Sequence, residues 1–100
     1  MAKYAWIITK DHLATELGDR SEVGISGPSD ITVQQKIALD EGQGAEFQMR
    51  DDDGELYYTG RFIGDANSED AFAPLMDFGT PNAGATDIYY RNAKGQWEIL

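Results

Sequence analysis

The chain has 100 residues, a formal net charge of −10, 41% hydrophobic residues and no cysteine. This length fits a single domain, and the hydrophobic fraction argues against a disordered acidic tail. Without cysteine there is no disulfide framework, no thiolate metal site and no thiol nucleophile. An anionic surface repels phosphate backbones and anionic lipid headgroups, so we predict no direct binding to nucleic acid or membranes.

The N-terminal segment predicts a strand in the interior of a sheet. Residues from Tyr4 to Thr9 are rich in β-formers and nearly continuously apolar, which is typical of a strand covered on both faces. The apolar run is too short for a signal-peptide core, and no stretch approaches the roughly 18 apolar residues that span a bilayer. The sequence therefore predicts a cytoplasmic protein.

The next segment is polar and predicts a loop over residues 10–22. Leu13 and Leu17 lie one helical turn apart within it, so a short docked helix is an alternative. The residues from Val23 to Ser26 alternate apolar with small side chains, which indicates a short strand. The tripeptide Gly27-Pro28-Ser29 then predicts a turn.

One helix is predicted to begin near Thr32. Gln35 follows three residues later, as a capping box requires, and Val33 with Ile37 forms an apolar pair one turn apart. The helix should end at Asp40-Glu41-Gly42, where the glycine can adopt the left-handed conformation.

The clearest predicted element is a β-hairpin from Ala45 to Gly64. A two-residue turn at Asp53-Gly54 aligns the apolar residues on one face, but it places Asp52 opposite Glu55, so a longer loop starting at Asp51 remains an alternative. The two-residue turn pairs Met49 with Tyr58, Phe47 with Gly60, Arg50 with Tyr57, and Glu46 with Arg61.

Residues 65–86 have no clear periodicity. Ser68 can cap a turn, Pro74 can begin a single helical turn that ends before Gly79, and residues 79–84 predict a turn-rich loop. The apolar residues of the segment, expected to anchor it on the sheet, are Phe72, Leu75, Met76 and Phe78.

A second hairpin is predicted at the end of the sequence, with a turn over Asn92-Ala93-Lys94-Gly95. The pairs it predicts on the core face are Tyr90 with Trp97 and Ile88 with Ile99, with Tyr89, Arg91 and Glu98 on the other face. Together the elements predict one small α+β domain over residues 1–100. Its sheet is antiparallel or mixed, with about five strands, two hairpins and one short helix.

Catalysis is disfavoured by the residue inventory. His12 is the single histidine, so a multi-histidine metal site cannot form, and no serine lies in a nucleophile elbow. No phosphate-binding glycine motif is present, and Asp51-Asp52-Asp53-Gly54 lacks EF-hand spacing. We therefore predict no enzyme activity and no cofactor, with weak cation binding at Asp51–Asp53 left open.

The charge is unevenly distributed along the chain. Residues 40–55 carry seven acids against Arg50 alone, and residues 62–90 carry five acids and no Lys or Arg. If these stretches converge in space, they form an anionic surface suited to a basic partner. Phage and plasmid proteins that block restriction or CRISPR nucleases are often small, acidic and poor in cysteine. This chain resembles them in composition only.

We therefore predict a non-catalytic acidic binding protein, with inhibition of a nucleic-acid-binding partner such as a nuclease, by mimicry of nucleic acid, as its specific form. The alternative is a general protein-interaction module that uses exposed tyrosines. The predicted partner-binding residues are Asp40, Glu41, Asp51, Asp52, Asp53, Glu55, Asp65, Glu69, Asp70, Tyr57 and Tyr89.

Overall fold

A computed structural model describes residues 3–12, 24–65 and 67–100. It contains a six-stranded sheet in the order β2-β1-β4-β3-β5-β6, in which every neighbouring pair is antiparallel. The predicted small α+β fold is confirmed, with six strands rather than about five. No helix among the described residues has the length and apolar character needed to cross a membrane. The strands are β1 (Ala5–Asp11), β2 (Ser26–Gly27), β3 (Ala45–Arg50), β4 (Leu56–Ile63), β5 (Asp87–Arg91) and β6 (Trp97–Ile99).

Strand β1 lies inside the sheet, between β2 and β4, as predicted. Its side chains alternate between two hydrophobic clusters: Trp6 and Ile8 join the main core, whereas Ala5 and Ile7 join a smaller core on the other face. The nearly continuous apolar run is explained by this burial on both faces.

Strand β2 is shorter than the predicted strand and lies slightly later in the chain. It pairs Ser26 with Ile7 and Gly27 with Trp6, and the peptide bond from Gly27 to Pro28 is cis. Val23 lies outside the described residues, as do Leu13 and Leu17 with most of the predicted 10–22 loop.

Helix α1 (Val33–Asp40) has the predicted capping box. The Gln35 amide donates to the Thr32 hydroxyl over 3.1 Å, and the Thr32 amide donates to the Gln35 side-chain oxygen over 2.9 Å. The helix ends at Glu41 and is followed by Gly42 at φ +87°, also as predicted.

The face that α1 packs against the sheet is not the one its apolar pair indicated. Val33 is 76% exposed and Ile37 is 50% exposed, whereas Leu39 in the last turn is buried. Leu39 packs with Ala5 and Ile7 in the smaller core. Leu39 is the buried residue of this eight-residue helix, so this single leucine provides its anchor.

The first hairpin has most of the predicted register. Met49 pairs with Tyr58, Phe47 with Gly60, and Glu46 with Arg61. The two-residue turn and the Arg50–Tyr57 pair are wrong: a bulge places Arg50 opposite Leu56, and the longer loop starting at Asp51 is the one formed.

The second hairpin is displaced by one residue from the predicted register. Tyr90 pairs with Glu98, Arg91 with Trp97, and Tyr89 with Ile99. The loop is one residue shorter than predicted because Asn92 and Gln96 pair across it, with the Asn92 amide 2.8 Å from the Gln96 oxygen. A one-residue slip exchanges the faces of a strand, so Trp97 and Ile99 lie opposite the main core.

The segment after β4 is helical over most of its length. The predicted Ser68 cap is confirmed, because its hydroxyl accepts a hydrogen bond from the Asp70 amide over 3.2 Å. The predicted single turn ending before Gly79 and the loop over 79–84 are wrong, since the helical path continues to Gly84 at φ +74°. The parts are a 3₁₀ turn (Glu69–Phe72), a π-helical turn (Leu75–Gly79) and α2 (Thr80–Ala83).

This helical segment covers the core face of the sheet. Its Phe78 ring packs against Tyr58 with ring centroids 4.9 Å apart and against Trp6 at 5.7 Å. Phe72 and Met76, also predicted to be anchors, are 39% and 65% exposed. The Tyr90 hydroxyl donates to the Ala71 oxygen over 2.8 Å, which ties the 3₁₀ turn to β5.

Gly60 makes the closest backbone approach in the main core. A Cβ atom at this position would lie 2.2 Å from the Ile7 oxygen and 2.4 Å from Phe47 Cζ. Because the strand backbone and the buried ring have no room to retreat, we expect Gly60→Ala to lower the free energy of unfolding by about 3 kcal/mol in urea denaturation. Gly54→Ala is the control, because Gly54 has φ +84° and no atom within 4 Å of its Cβ position. It should cost about 1 kcal/mol for left-handed backbone strain alone, and equal losses would contradict the packing explanation.

Burial raises the pKa of the Tyr90 phenol above its usual value of 10. The unfolded chain releases this proton at lower pH than the folded chain, so the group's contribution to stability is complete below about pH 10 and is lost as pH rises beyond it. Tyr90→Phe should weaken this alkaline loss and cost about 1 kcal/mol at pH 7 through the lost hydrogen bond. Urea denaturation at pH 7, 9.5 and 10.5 measures both effects. A wild-type pH slope in the variant would contradict this assignment.

Candidate protein-binding surfaces

The turn between β3 and β4 is built around the Asp51 side chain. Its Oδ1 atom accepts hydrogen bonds from the Asp53 amide over 2.9 Å and the Glu55 amide over 2.8 Å. The Gly54 amide donates to the Asp51 main-chain oxygen over 3.0 Å, and Gly54 has φ +84°. An aspartate that caps the turn and a glycine in the left-handed conformation together define its shape.

The other carboxylates of this turn extend into solvent. Asp52, Asp53 and Glu55 are exposed, and none of them forms an ion pair with a described residue. We call these three residues the acidic tip. The nearest base in sequence, Arg50, uses its guanidinium elsewhere: it donates to Gln48 Oε1 and, over 3.2 Å, to the Gly54 oxygen. The negative charge of the tip therefore has no salt-bridge partner in the described chain.

The three consecutive aspartates, Asp51 to Asp53, are also a candidate cation site. Within the described residues they are the group of acidic side chains in which one carboxylate oxygen of each lies within 4.8 Å of the others. Both oxygens of Asp51 are already engaged, since Oδ2 accepts from the Tyr57 hydroxyl over 3.3 Å. The hydrogen bonds of the turn account for this clustering without an ion.

The remaining predicted acids lie at the other end of the sheet. Asp40 and Glu41 end α1, and Asp65 follows β4, whose eight residues extend roughly 25 Å from the acidic tip. Glu69 and Asp70 lie in the 3₁₀ turn, and Asp70 contributes to the negative field that raises the pKa of Tyr4 beside β1, after the larger effects of burial and Asp77. The predicted acids thus form two groups at opposite ends of β4 rather than one surface.

The two predicted tyrosines have different environments. The two-residue turn, which pairs Tyr57 with Arg50, predicts Tyr57 on the face opposite the core, but Tyr57 lies at the β4 bulge and packs partly against the main core. Partial burial, followed by the charge of Asp51 and their hydrogen bond, raises the pKa of Tyr57. Tyr89 does lie opposite the core, where the Arg50 guanidinium carbon is 5.2 Å from its ring centre.

The face opposite the main core is covered by α1 over β1 and β4. The β5 and β6 side chains of this face belong to neither core: they are Asp87, Tyr89, Arg91, Trp97 and Ile99. Ile99 is 58% exposed, and Arg91 forms an ion pair with Glu46 over 3.4 Å. Aromatic residues and arginine are enriched in protein interfaces.

Sequence reasoning missed Trp97 and Ile99 on this face, although a signal was present. Asn92 and Gly95 occupy the same places in their turn as Asp51 and Gly54 do in the first. The Asn92 side-chain oxygen accepts from the Lys94 and Gln96 amides, each over 2.9 Å. The shared pattern of Asp or Asn followed three residues later by Gly indicates a bulged turn, which sets the observed register.

His12 follows β1 and is half-buried. Its Nε2 atom lies 2.9 Å from the Thr59 hydroxyl oxygen. Burial first and the neighbouring Lys10 second lower the pKa of His12, while Asp11 opposes them. This contact links the single histidine, just after β1, to Thr59 in β4.

Comparison of the chain with family models, with curated proteins and with solved structures gives no match.

The Asp51 turn gives a direct test of geometry against charge. Asp51→Ala removes the acceptor of two amides and should lower the free energy of unfolding by about 1–2 kcal/mol. Asp51→Asn keeps the acceptor, as Asn92 does in the other turn, so it should stay much closer to the wild type. The same Asn variant should lower the pKa of Tyr57, measured by NMR of labelled tyrosine rings, because a negative charge is removed. If Asn destabilises as much as Ala, the charge of Asp51 rather than its geometry holds the turn.

Proposed function

We propose that this protein is a non-catalytic binding protein whose acidic tip engages a basic surface of a partner protein. The observation that carries the proposal is the exposure of Asp52, Asp53 and Glu55, without ion pairs, on a turn held by Asp51. A turn already ordered in the free protein loses little conformational entropy on binding, so more of the electrostatic attraction appears as affinity.

The overall charge favours the same kind of partner. A net charge of −10 accelerates encounters with a basic protein and repels acidic ones. Arg50, hydrogen-bonded to Gln48 and Gly54, brings one positive charge beside the tip but forms no ion pair with its carboxylates, which stay available to the partner's own lysines and arginines.

Mimicry of nucleic acid is the specific form of this function that we propose. Carboxylates fixed on a turn attract the same Lys and Arg side chains that bind phosphates, so the protein would occupy a channel that otherwise holds a nucleic acid. Inhibition of a nuclease follows if that channel is its substrate site. The absence of cysteine suits a cytoplasmic location, which is part of the same proposal.

The general interaction module remains the second candidate, because of one observation. The Tyr89 ring, beneath Arg50 and opposite the core, is the type of aromatic anchor on which interface affinity often depends. In that case Tyr89→Ala, rather than charge reversal at the tip, would abolish binding.

The test reverses the tip without touching Asp51. The wild type and the variant Asp52→Lys, Asp53→Lys, Glu55→Lys are each immobilised and exposed to a cell extract. We expect the variant to retain at least tenfold less partner than the wild type. The matched control, Asp30→Lys, Asp40→Lys, Glu41→Lys, makes the same change in net charge away from the tip and should retain the partner. Circular dichroism verifies that both variants are folded.

Elution distinguishes the forms of the proposal. A partner released by a short duplex DNA at constant salt supports mimicry, whereas one released by salt but not by duplex contradicts it. Equal loss in the two triple variants would reduce the effect to net charge and overturn the assignment to the tip. Undiminished retention by the tip variant, with loss in Tyr89→Ala, would favour the second candidate.

A further inference from the structure

Strand β6 leaves one of its edges free in the described structure, since it pairs with β5 alone at the end of the sheet. The Asn92 amide donates to the Gln96 oxygen and the Leu100 amide to the Ile88 oxygen, which fixes the alternation of hydrogen-bonded pairs. By that alternation Glu98 bonds to β5, whereas the amide and carbonyl groups of Trp97 and Ile99 point away from it. These outward groups form a template for another strand.

A cavity of about 210 Å³ opens beside this edge. Glu98, which lies opposite Tyr90, lines it together with Tyr90, Asn67, Asn92, Leu100, Arg91 and Ile99. One carboxylate oxygen of Glu98 accepts a hydrogen bond from the Asn92 side chain. The other oxygen has no hydrogen-bond partner among the described residues.

Among the residues that line the cavity, Glu98 carries a negative charge and Arg91 a positive one. Asn67 belongs to the stretch from residue 62 to residue 90, which contains five acids and no Lys or Arg. The nearest arginine, Arg91, forms its ion pair with Glu46, a residue on the opposite face. A cation entering the cavity therefore meets the Glu98 carboxylate, whereas the charge of Arg91 is paired with that of Glu46.

From this arrangement we propose that β6 accepts an extended, basic segment of a partner protein as a seventh strand. In such an antiparallel pair, the partner residue opposite Glu98 points into the cavity, and we assign a Lys or Arg side chain to it. The residues on either side pair with Trp97 and Ile99 and lie on the other face, beside their apolar side chains. The recognised pattern is thus apolar, basic, apolar at three successive positions.

A second copy of this chain fits the edge less well. Self-pairing about the centre of β6 would place Glu98 opposite Glu98, and each copy carries a net charge of −10.

The inference deepens the proposed function and rests on it in one respect, the basic character of the partner. It concerns a surface apart from the acidic tip.

The probe is a blocked peptide, SVTVKVTS, titrated into ¹⁵N-labelled protein at 0.15 M salt. We expect the amide signals of Trp97, Glu98 and Ile99 to shift, and the exchange of the Trp97 and Ile99 amides with solvent to slow. The matched peptide SVTVEVTS should bind at least tenfold more weakly. In Glu98→Lys this preference should reverse, a result that a purely structural role of Glu98 would not produce.

Two further probes test the main-chain pairing. Ile99→Pro removes an outward amide that β5 does not use, so the fold should persist while peptide affinity falls at least tenfold. Methylation of the two valine amides that flank the peptide lysine should have the same effect without any change to the protein.

Three results would overturn the inference. One is the absence of shifts at 97–99 up to millimolar peptide, and another is equal affinity for the Lys and Glu peptides. A concentration-dependent shift of the same amides without peptide would assign the edge to a second copy instead. Each of these leaves the acidic-tip proposal standing, because that proposal is judged separately by the charge-reversed variants.

Discussion

Two side-chain-capped turns govern the arrangement of this sheet. In each hairpin the side-chain oxygen of an Asp or Asn accepts two main-chain amides, and a glycine three residues later adopts the left-handed conformation. In both turns three residues separate the closing pair, Asp51 with Glu55 and Asn92 with Gln96, and this loop length sets the register of both strands. Because side chains alternate along a strand, the register decides which residues face the core and which face outward.

The consequences are largest at the second hairpin. Asn92 pairs with Gln96, so Glu98 lies beside Tyr90 at the cavity, and Trp97 and Ile99 lie on the opposite face. With the other register these two apolar side chains would belong to the core, and β6 would present a different edge. The same type of turn at Asp51 directs the acidic tip into solvent. Both proposed binding surfaces therefore depend on the same local interaction.

The acidic residues also show that the net charge of the chain does not reveal how the charge is distributed over the surface. Asp40 and Asp51 belong to one acidic stretch of the sequence, yet β3 separates them along its length. The proposals accordingly treat the acidic tip and the edge beside Glu98 as distinct surfaces. Both surfaces lie in the negative electrostatic field of a chain with a net charge of −10, and this field attracts a basic partner to either of them.

Local chemistry alone determined the capping box of Thr32, the Ser68 cap, the doubly buried β1 and the existence of both hairpins, because each depends on residues close in sequence. Other features required the tertiary structure. The helical path continues through Gly79, where a Cβ atom would lie 2.5 Å from Met49 Sδ, so the Met49 side chain of β3 fills the space beside this glycine. Leu39, not the pair Val33 and Ile37, anchors α1, because Leu39 is the residue of the helix that packs with Ala5 and Ile7 of β1. The total charge is a property of the sequence, but its division between the two ends of β4 is a property of the fold, since strands carry neighbours in sequence far apart in space.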